Sequence, residues 1–363
     1  MKITLNRWCA PSLCALASAV FVACGGGGGG GGGGNPPPAG ARFAGATSSQ
    51  PLALTADNAY LVVANEDNDS VTFFDLRNDA NRKLAEVPVQ DEPSGVAFLP
   101  DGSKAYAANA VSGTVSVIPV NTAAGTVGAP SKQITVGTEP AALVLTPNGR
   151  RLYVANARSN SVSVVDTATD AVITTIANVG PEPRGLAITN DGDEYDDDET
   201  PHVAQFLSLQ IAGKIDGADD AKAGHVSVVS TATHTVTADI AVNPIADSGF
   251  KALGDALARV APLPATDEAN FKFTTGAYPN QLNNIAIKGG YAFIPNTGAS
   301  PNGPFRFDVN TQSLLSVIDR GARADAGQTI NLHAAVKAQT NPEKLFVTQP
   351  WAMAFKHQRD EAY

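Results

Sequence analysis

The sequence predicts an all-β fold in which four-stranded antiparallel sheets are set around one axis as the blades of a β-propeller. Three observations carry this expectation. Glycine (34) and proline (24) are too frequent among 363 residues for a helical bundle. A Glu-Pro dipeptide is followed three times by alternating apolar residues and then by an Asp-Gly or Asn-Gly turn whose glycine stands nine residues after the proline. Two further strand patterns follow each turn in a constant order, at a spacing of about 45 residues, the length of a blade.

The elements can be read in order. The first strands lie within the stretches 92–102, 139–149 and 182–192, each a Glu-Pro, an alternating apolar strand and then Asp101-Gly102, Asn148-Gly149 or Asp191-Gly192. The second strands end on asparagine, at Asn65, Asn109 and Asn156. The third strand appears five times, as Val71–Asp75, Val115–Pro119, Val162–Asp166, Val226–Ser230 and Leu315–Asp319. A weaker fourth strand follows, as in Ala171–Ile176. The blades are expected at about 44–90, 91–137, 138–180, 181–244 and 279–348. Gln349–Phe355 reads as the first strand of a sixth blade, partial at 349–363. The expectation is therefore five blades plus a stub, an incomplete ring or a piece of a longer protein.

Two insertions break the register, at 193–222 and 245–278. In the second, Ser248 is expected to cap a short helix with Phe250, Leu253, Leu257 and Val260 on one face, stopped by Pro262. Insertions of this kind project from one face of a propeller and often carry specificity.

Met1–Ala23 reads as an export signal: Lys2 and Arg7, then a short apolar run to Ala23-Cys24. Phe21-Val22-Ala23-Cys24 resembles a bacterial lipobox, which implies lipidation of Cys24. Ordinary cleavage after Ala17-Ser18-Ala19 is the alternative. Residues 24–43 then form a tether. Gly25–Gly34 are ten consecutive glycines ahead of Pro36-Pro37-Pro38, a stretch with nothing to bury and maximal backbone entropy. The three cysteines are Cys9, Cys14 and Cys24, so a body beyond the lipidated residue holds no thiol and no disulfide. The expected location is the cell envelope, lipid-anchored at the outer membrane or the periplasmic face.

Charge excludes some partners. The chain carries 25 basic and 35 acidic residues, net -10, and no basic face for nucleic acid. Losing Lys2 and Arg7 takes the body to -12, which disfavours adhesion to anionic lipid.

The repeats resemble the YVTN family of β-propeller repeats, most closely at Tyr153-Val154-Ala155-Asn156. The resemblance covers most of residues 44–363 and speaks for fold more than for function. It implies that a longer form could carry an appended C-terminal cytochrome c domain. This chain has no Cys-x-x-Cys-His, so it attaches no haem in that way.

Two groups of residues could carry chemistry. Glu92, Glu139 and Glu182 stand at the same place in three blades, just before the innermost strand, around one mouth of the central channel. Convergent carboxylates there would hold a cation or repel anions; the alternative is a solvated loop feature of the repeat. Gln349 is the neutral match in the stub, and blade five offers Tyr278 before Pro279. The second group is the acidic run of Asp191, Asp193, Asp196 and Asp198, with a spacing of two that suits Ca2+, although it lacks the glycine and glutamate of an EF-hand loop. Asp216, Asp219 and Asp220 could fold back to assist. The alternative is an exposed loop.

The five histidines have no paired spacing, and the Asn of each second strand is expected to bond backbone at a turn. There is no G-x-S-x-G elbow, no H-E-x-x-H and no P-loop. The expected function is a non-catalytic, membrane-tethered scaffold that binds a protein or a cell-surface polymer. The alternatives are a propeller module of a periplasmic redox protein and a metal-dependent hydrolase similar to propeller lactonases. No cofactor is expected in this chain other than Ca2+.

Overall fold

The computed structural model describes residues 51–193, 195–252, 272–302, 307–340, 347, 349–355 and 361–363, with the backbone of residues 3–4. The rest of the leader, Cys24, the glycine tether, Glu194, His357 and the stretch 253–271 lie outside these.

Five antiparallel sheets follow one another along the chain. Blade one is built from Leu52–Leu54, Tyr60–Asn65, Ser70–Asp75 and Arg82–Pro88. Blade two runs through Pro93–Phe98, Lys104–Asn109, Thr114–Asn121 and Lys132–Thr135. Blade three is Pro140–Leu145, Arg151–Asn156, Ser161–Asp166 and Ala171–Ala177. Blade four is Pro183–Ile188, Pro201–Gln205, Lys222–Ser230 and Thr235–Val242. Blade five is less regular, with Ala286–Lys288, Tyr291–Ala299 and Thr311–Asp319 as its main strands. Its outer edge is reduced to Ala324–Asp325 and Ile330–Asn331, after which the chain turns into the helix Leu332–Lys337.

The core lies between the blades, because side chains alternate across each strand. In the second strand of blade two, Ala105 and Ala107 pack on blade one with Val62 and Phe73, while Tyr106 and Ala108 pack on blade three with Leu143 and Leu152. Blade three meets blade four through Tyr153, Ala155, Leu186 and Val203. Blade four meets blade five through Val226, Ile240, Leu282 and Ile294. Beyond blade five, Phe293 and Val317 are covered by Met353 and Phe355. Phe355 bridges Ala362 in antiparallel fashion, as Phe98 pairs with Ala105 in blade two. The backbone of Ile3–Thr4 pairs with Glu361–Ala362 beside it.

The asparagine that ends each second strand is a clamp within its blade. Asn109 Nδ2 donates to Thr114 Oγ1 and Ser116 Oγ, both at 3.0 Å. Asn156 does the same to Ser161 (3.2 Å) and Ser163 (3.0 Å), and Asn65 to Ser70 (3.0 Å) and Thr72 (2.8 Å). The Nδ2 partners are hydroxyls of the third strand, and Asn156 also makes the expected backbone bond, its Oδ1 accepting the Gly137 N–H at 3.1 Å. A one-donor hydroxyl two residues from another offers the two NH protons of one amide a matched pair of acceptors.

In the second insertion, Leu253, Leu257, Val260 and Pro262 of the expected helix lie outside the described residues. Ser248 caps no helix among the described residues. Its hydroxyl lies 2.9 Å from Thr275 Oγ1, and Lys251–Ala252 pairs as a strand with Phe273–Thr274. Phe250 is buried against Ala252 and Val309.

Candidate functional site

In blades two to four and in the stub, the residue ahead of the innermost strand has a left-handed backbone: φ is 53° at Glu92, 55° at Glu139, 47° at Glu182 and 50° at Gln349. Blade five has the same feature at Gln281, with φ 52°, not at Tyr278, which is buried and pairs with Ala299 instead. The missing signal is the proline, since Leu282 follows Gln281. Such a backbone is uncommon outside glycine and is held here from the preceding blade. The Glu92 N–H donates to Asp69 Oδ1 at 2.9 Å and the Glu182 N–H to Asn160 Oδ1 at 2.8 Å.

In blades two, three and four the left-handed residue is followed by a bulge. Pro93 pairs with Asn109 and Gly95 with Ala108, so Ser94 has no partner in the ladder. Ala141 and Arg184 are skipped in the same way in blades three and four. A bulge re-aims the extra side chain. Ser94, Ala141, Arg184, the corresponding Asn283 of blade five and Trp351 of the stub all line one cavity of about 670 Å³. This is the mouth of the central channel, and its size is that of a small-molecule site. The cavity-lining position therefore differs in each of these five, while the left-handed position two residues before it is always Glu or Gln.

Of the predicted carboxylates, Glu92 and Glu139 line this cavity and Glu182 does not, and they are not all free. Arg184 Nη2 donates to Glu139 Oε1 at 2.7 Å, and Arg158 spans Glu139 (3.0 Å) and Glu182 (2.8 Å). Arg184 also stacks 4.8 Å above the Phe206 ring. Two carboxylates and two guanidinia thus close a neutral network across blades three and four. Each pair is partly exposed and worth little alone, but together with the stacking they fix orientation. Glu66 and Glu92 also line the cavity and make no ion pair among the described residues. A set of three free, converging carboxylates is therefore not present.

The acidic run lies at the other end of the innermost strand, about 20 Å away for six residues of strand. Asp191, Asp193 and Asp198 each bring a carboxylate oxygen within 4.8 Å of the others, all exposed. Asp196 does not join them. It is buried, its Oδ1 accepts the Asn148 N–H at 3.1 Å, and burial pushes its carboxyl above the usual range. Its role is to fasten the insertion to blade three. Glu199 anchors the same loop: it accepts from Thr189 Oγ1 and from the Asp191 N–H, and burial raises its pKa as well. Asp219 does not fold back either; it accepts from Gly276 N and Asn302 N, both at 2.9 Å, and ties the first insertion to blade five. Asp216 and Asp220 pair with Lys222 and Lys214.

The histidines sit apart, as their spacing implied. His202 is buried in the second strand of blade four, and burial lowers its pKa to about 4. His225 lies 2.7 Å from Asp239, His234 meets Tyr153, and His333 packs 5.0 Å from the Phe250 ring. The sequence reading missed Arg184, Asn283 and Trp351 at the mouth, and Arg158, which pairs with Glu139 and Glu182. The one signal that could have found three of them is the position two residues after each Glu or Gln of the rim.

Comparison with known proteins agrees with this architecture. A family model described as "Lactonase, 7-bladed beta-propeller" matches residues 49–194. No curated protein matches the chain. Among solved structures, hydrazine synthase from Kuenenia stuttgartiensis aligns with a TM-score of 0.59 at 20% identity, covering 84% of this chain and 70% of that one. A provisional 6-phosphogluconolactonase from Bacteroides fragilis aligns over 35% of this chain and 37% of that one, at 23% identity and a TM-score of 0.32. The first likeness speaks for fold alone. The chain is an all-β propeller of four-stranded antiparallel blades, similar over its first blades to the seven-bladed lactonase propellers.

Proposed function

We propose that the chain is a non-catalytic binding propeller of the cell envelope, tethered through Cys24 and the glycine stretch, and that it binds at the channel mouth. One observation carries this reading: the bulged residues of successive blades converge on one walled cavity. The carboxyls whose pKa values burial raises, Asp196, Glu199 and Asp219, are spent on anchoring loops away from that cavity. A binding face needs varied, fixed side chains in a concavity, and the mouth supplies them. Capture from an envelope fraction by the full-length protein tests this. Ala141→Trp, which fills the small side of the mouth, should abolish capture. Capture that survives this change would place binding elsewhere.

A second reading is a hydrolase acting on lactones, favoured by the family match over residues 49–194. In that case Glu139 or Glu182 would serve as the base. Lactone turnover by the wild type that Glu139→Gln abolishes would establish it in place of the binding reading. The redox-module reading predicts a haem-bearing domain elsewhere in the complete protein, and reading the gene tests it.

A further inference from the structure

Building on the channel mouth as the binding face, we infer that its ligand is a neutral sugar residue of a surface glycan. One ring face lies on the Trp351 indole, and the ring hydroxyls meet Asn283 and the Arg184–Glu139 pair. Trp351 is 64% exposed although it is a large aromatic residue in a cavity wall. An exposed indole in a concavity is a flat apolar platform. Asn283 lines the same cavity, half-buried, and its carboxamide makes no hydrogen bond among the described residues, so it presents both donors and an acceptor. The wall across from them is small: Ser94 and Ala141 leave the room that a ring would fill.

Charge decides the ligand class. Arg184 and Arg158 are neutralised by Glu139 and Glu182, so an anion gains no unmatched cation and also faces Glu66 and Glu92. A cation would find Glu66 and Glu92, but both are exposed to water, where each charge attracts weakly. A sugar asks for neither. Its flat face carries C–H groups that suit an indole. Its hydroxyls both donate and accept, which is what a carboxamide and an ion-paired guanidinium–carboxylate supply in fixed planar geometry. The difference between the blades then acquires a role, because each blade contributes one side chain of different chemistry to a single ligand.

Tryptophan fluorescence tests this directly. The sequence has two tryptophans, Trp8 and Trp351, so in the full-length Trp8→Phe protein the signal reports on the mouth alone. This protein is titrated with neutral gluco-, galacto-, manno- and N-acetylglucosamine oligosaccharides, and in parallel with lysine-rich and glutamate-rich peptides. At least one oligosaccharide should give a saturable change that added salt does not weaken. Calorimetry should show affinity reduced at least tenfold by Asn283→Ala, partly by Trp351→Phe and fully by Trp351→Ala, with circular dichroism unchanged. A response to a charged peptide alone, fading with salt, overturns the sugar while leaving the mouth as the binding face. Oligosaccharide binding that persists in Trp351→Ala and Asn283→Ala overturns both. Silence from every oligosaccharide overturns the sugar assignment.

Discussion

The Tyr153 hydroxyl lies 3.0 Å from Nδ1 of His234, and this contact joins the second strand of blade three to the outer turn of blade four. One blade earlier, the Tyr106 hydroxyl donates to Asp170 Oδ1 at 2.8 Å in the equivalent turn of blade three. Asp170 and His234 both have a left-handed backbone, with φ of 50° and 52°. The repeat thus carries a polar pin from the core of one blade to the rim of the next. Tyr153→Phe should cost about 1 kcal/mol in urea unfolding, since it removes one neutral hydrogen bond. Tyr106→Phe should cost about 2 kcal/mol, because the acceptor is charged. Tyr153→Ala adds a cavity and should cost about 3–5 kcal/mol. Equal, negligible effects of all three would remove the pin from the account.

His202 occupies the pin position in blade four, where Arg320 and Arg323 of blade five oppose its protonation and burial lowers its pKa to about 4. An unfolded histidine binds its proton near pH 6.5. Between these values the unfolded chain binds more protons, so this group's contribution is complete above about pH 6.5 and is lost as pH falls toward 4. Phe293 fills the same position in blade five. His202→Phe should therefore melt close to wild type at pH 8 and fall less on acidification. Parallel melting curves of the two proteins from pH 8 to pH 4 would contradict this.

Asn156 is fully buried and serves Ser161, Ser163 and the Gly137 N–H. Asn156→Ala leaves these groups without their partner in a dry site. The expected loss is about 2–4 kcal/mol of unfolding free energy, from two or more buried polar groups at roughly 1–3 kcal/mol each with partial relaxation. Chemical denaturation measures it, and a loss below about 0.5 kcal/mol would mean that water replaces the amide.

Asp196 gives the opposite pH dependence. Its folded pKa is raised by burial, so its contribution is complete below the ordinary carboxylate range and declines as pH rises through the folded value. Asp196→Asn keeps an acceptor for the Asn148 N–H and removes the buried charge. It should match or exceed wild-type stability at pH 8 and lose that advantage near pH 4. A loss at pH 8 would give the charge a role of its own. Any stabilisation by Ca2+ should survive Asp196→Asn and vanish in Asp191→Asn.

Much of the fold was legible because a strand writes its faces in alternation and a hairpin needs its Asp-Gly or Asn-Gly. Pro93–Phe98 and Pro140–Leu145 fall where the pattern placed them. The site was less legible. Glu139 and Glu182 are visible as repeats, but their neutralisation depends on Arg158 and Arg184, which occupy unrelated positions of the repeat and meet only through the blade geometry. Asp196 looks like its neighbours in a run of acids, and only the backbone turns it inward. Trp351 reads as one more apolar strand residue until the bulge rule exposes it, and Gln281 was hidden by the absence of a proline after it.

Site-specific photo-crosslinking tests the central claim most directly. A photoreactive residue replaces Ala141, on the small side of the mouth, or Ile173, exposed on the outer edge of the same blade. With intact envelopes, the account predicts crosslinked material from position 141 and none from position 173. Crosslinking from 173 alone would contradict it.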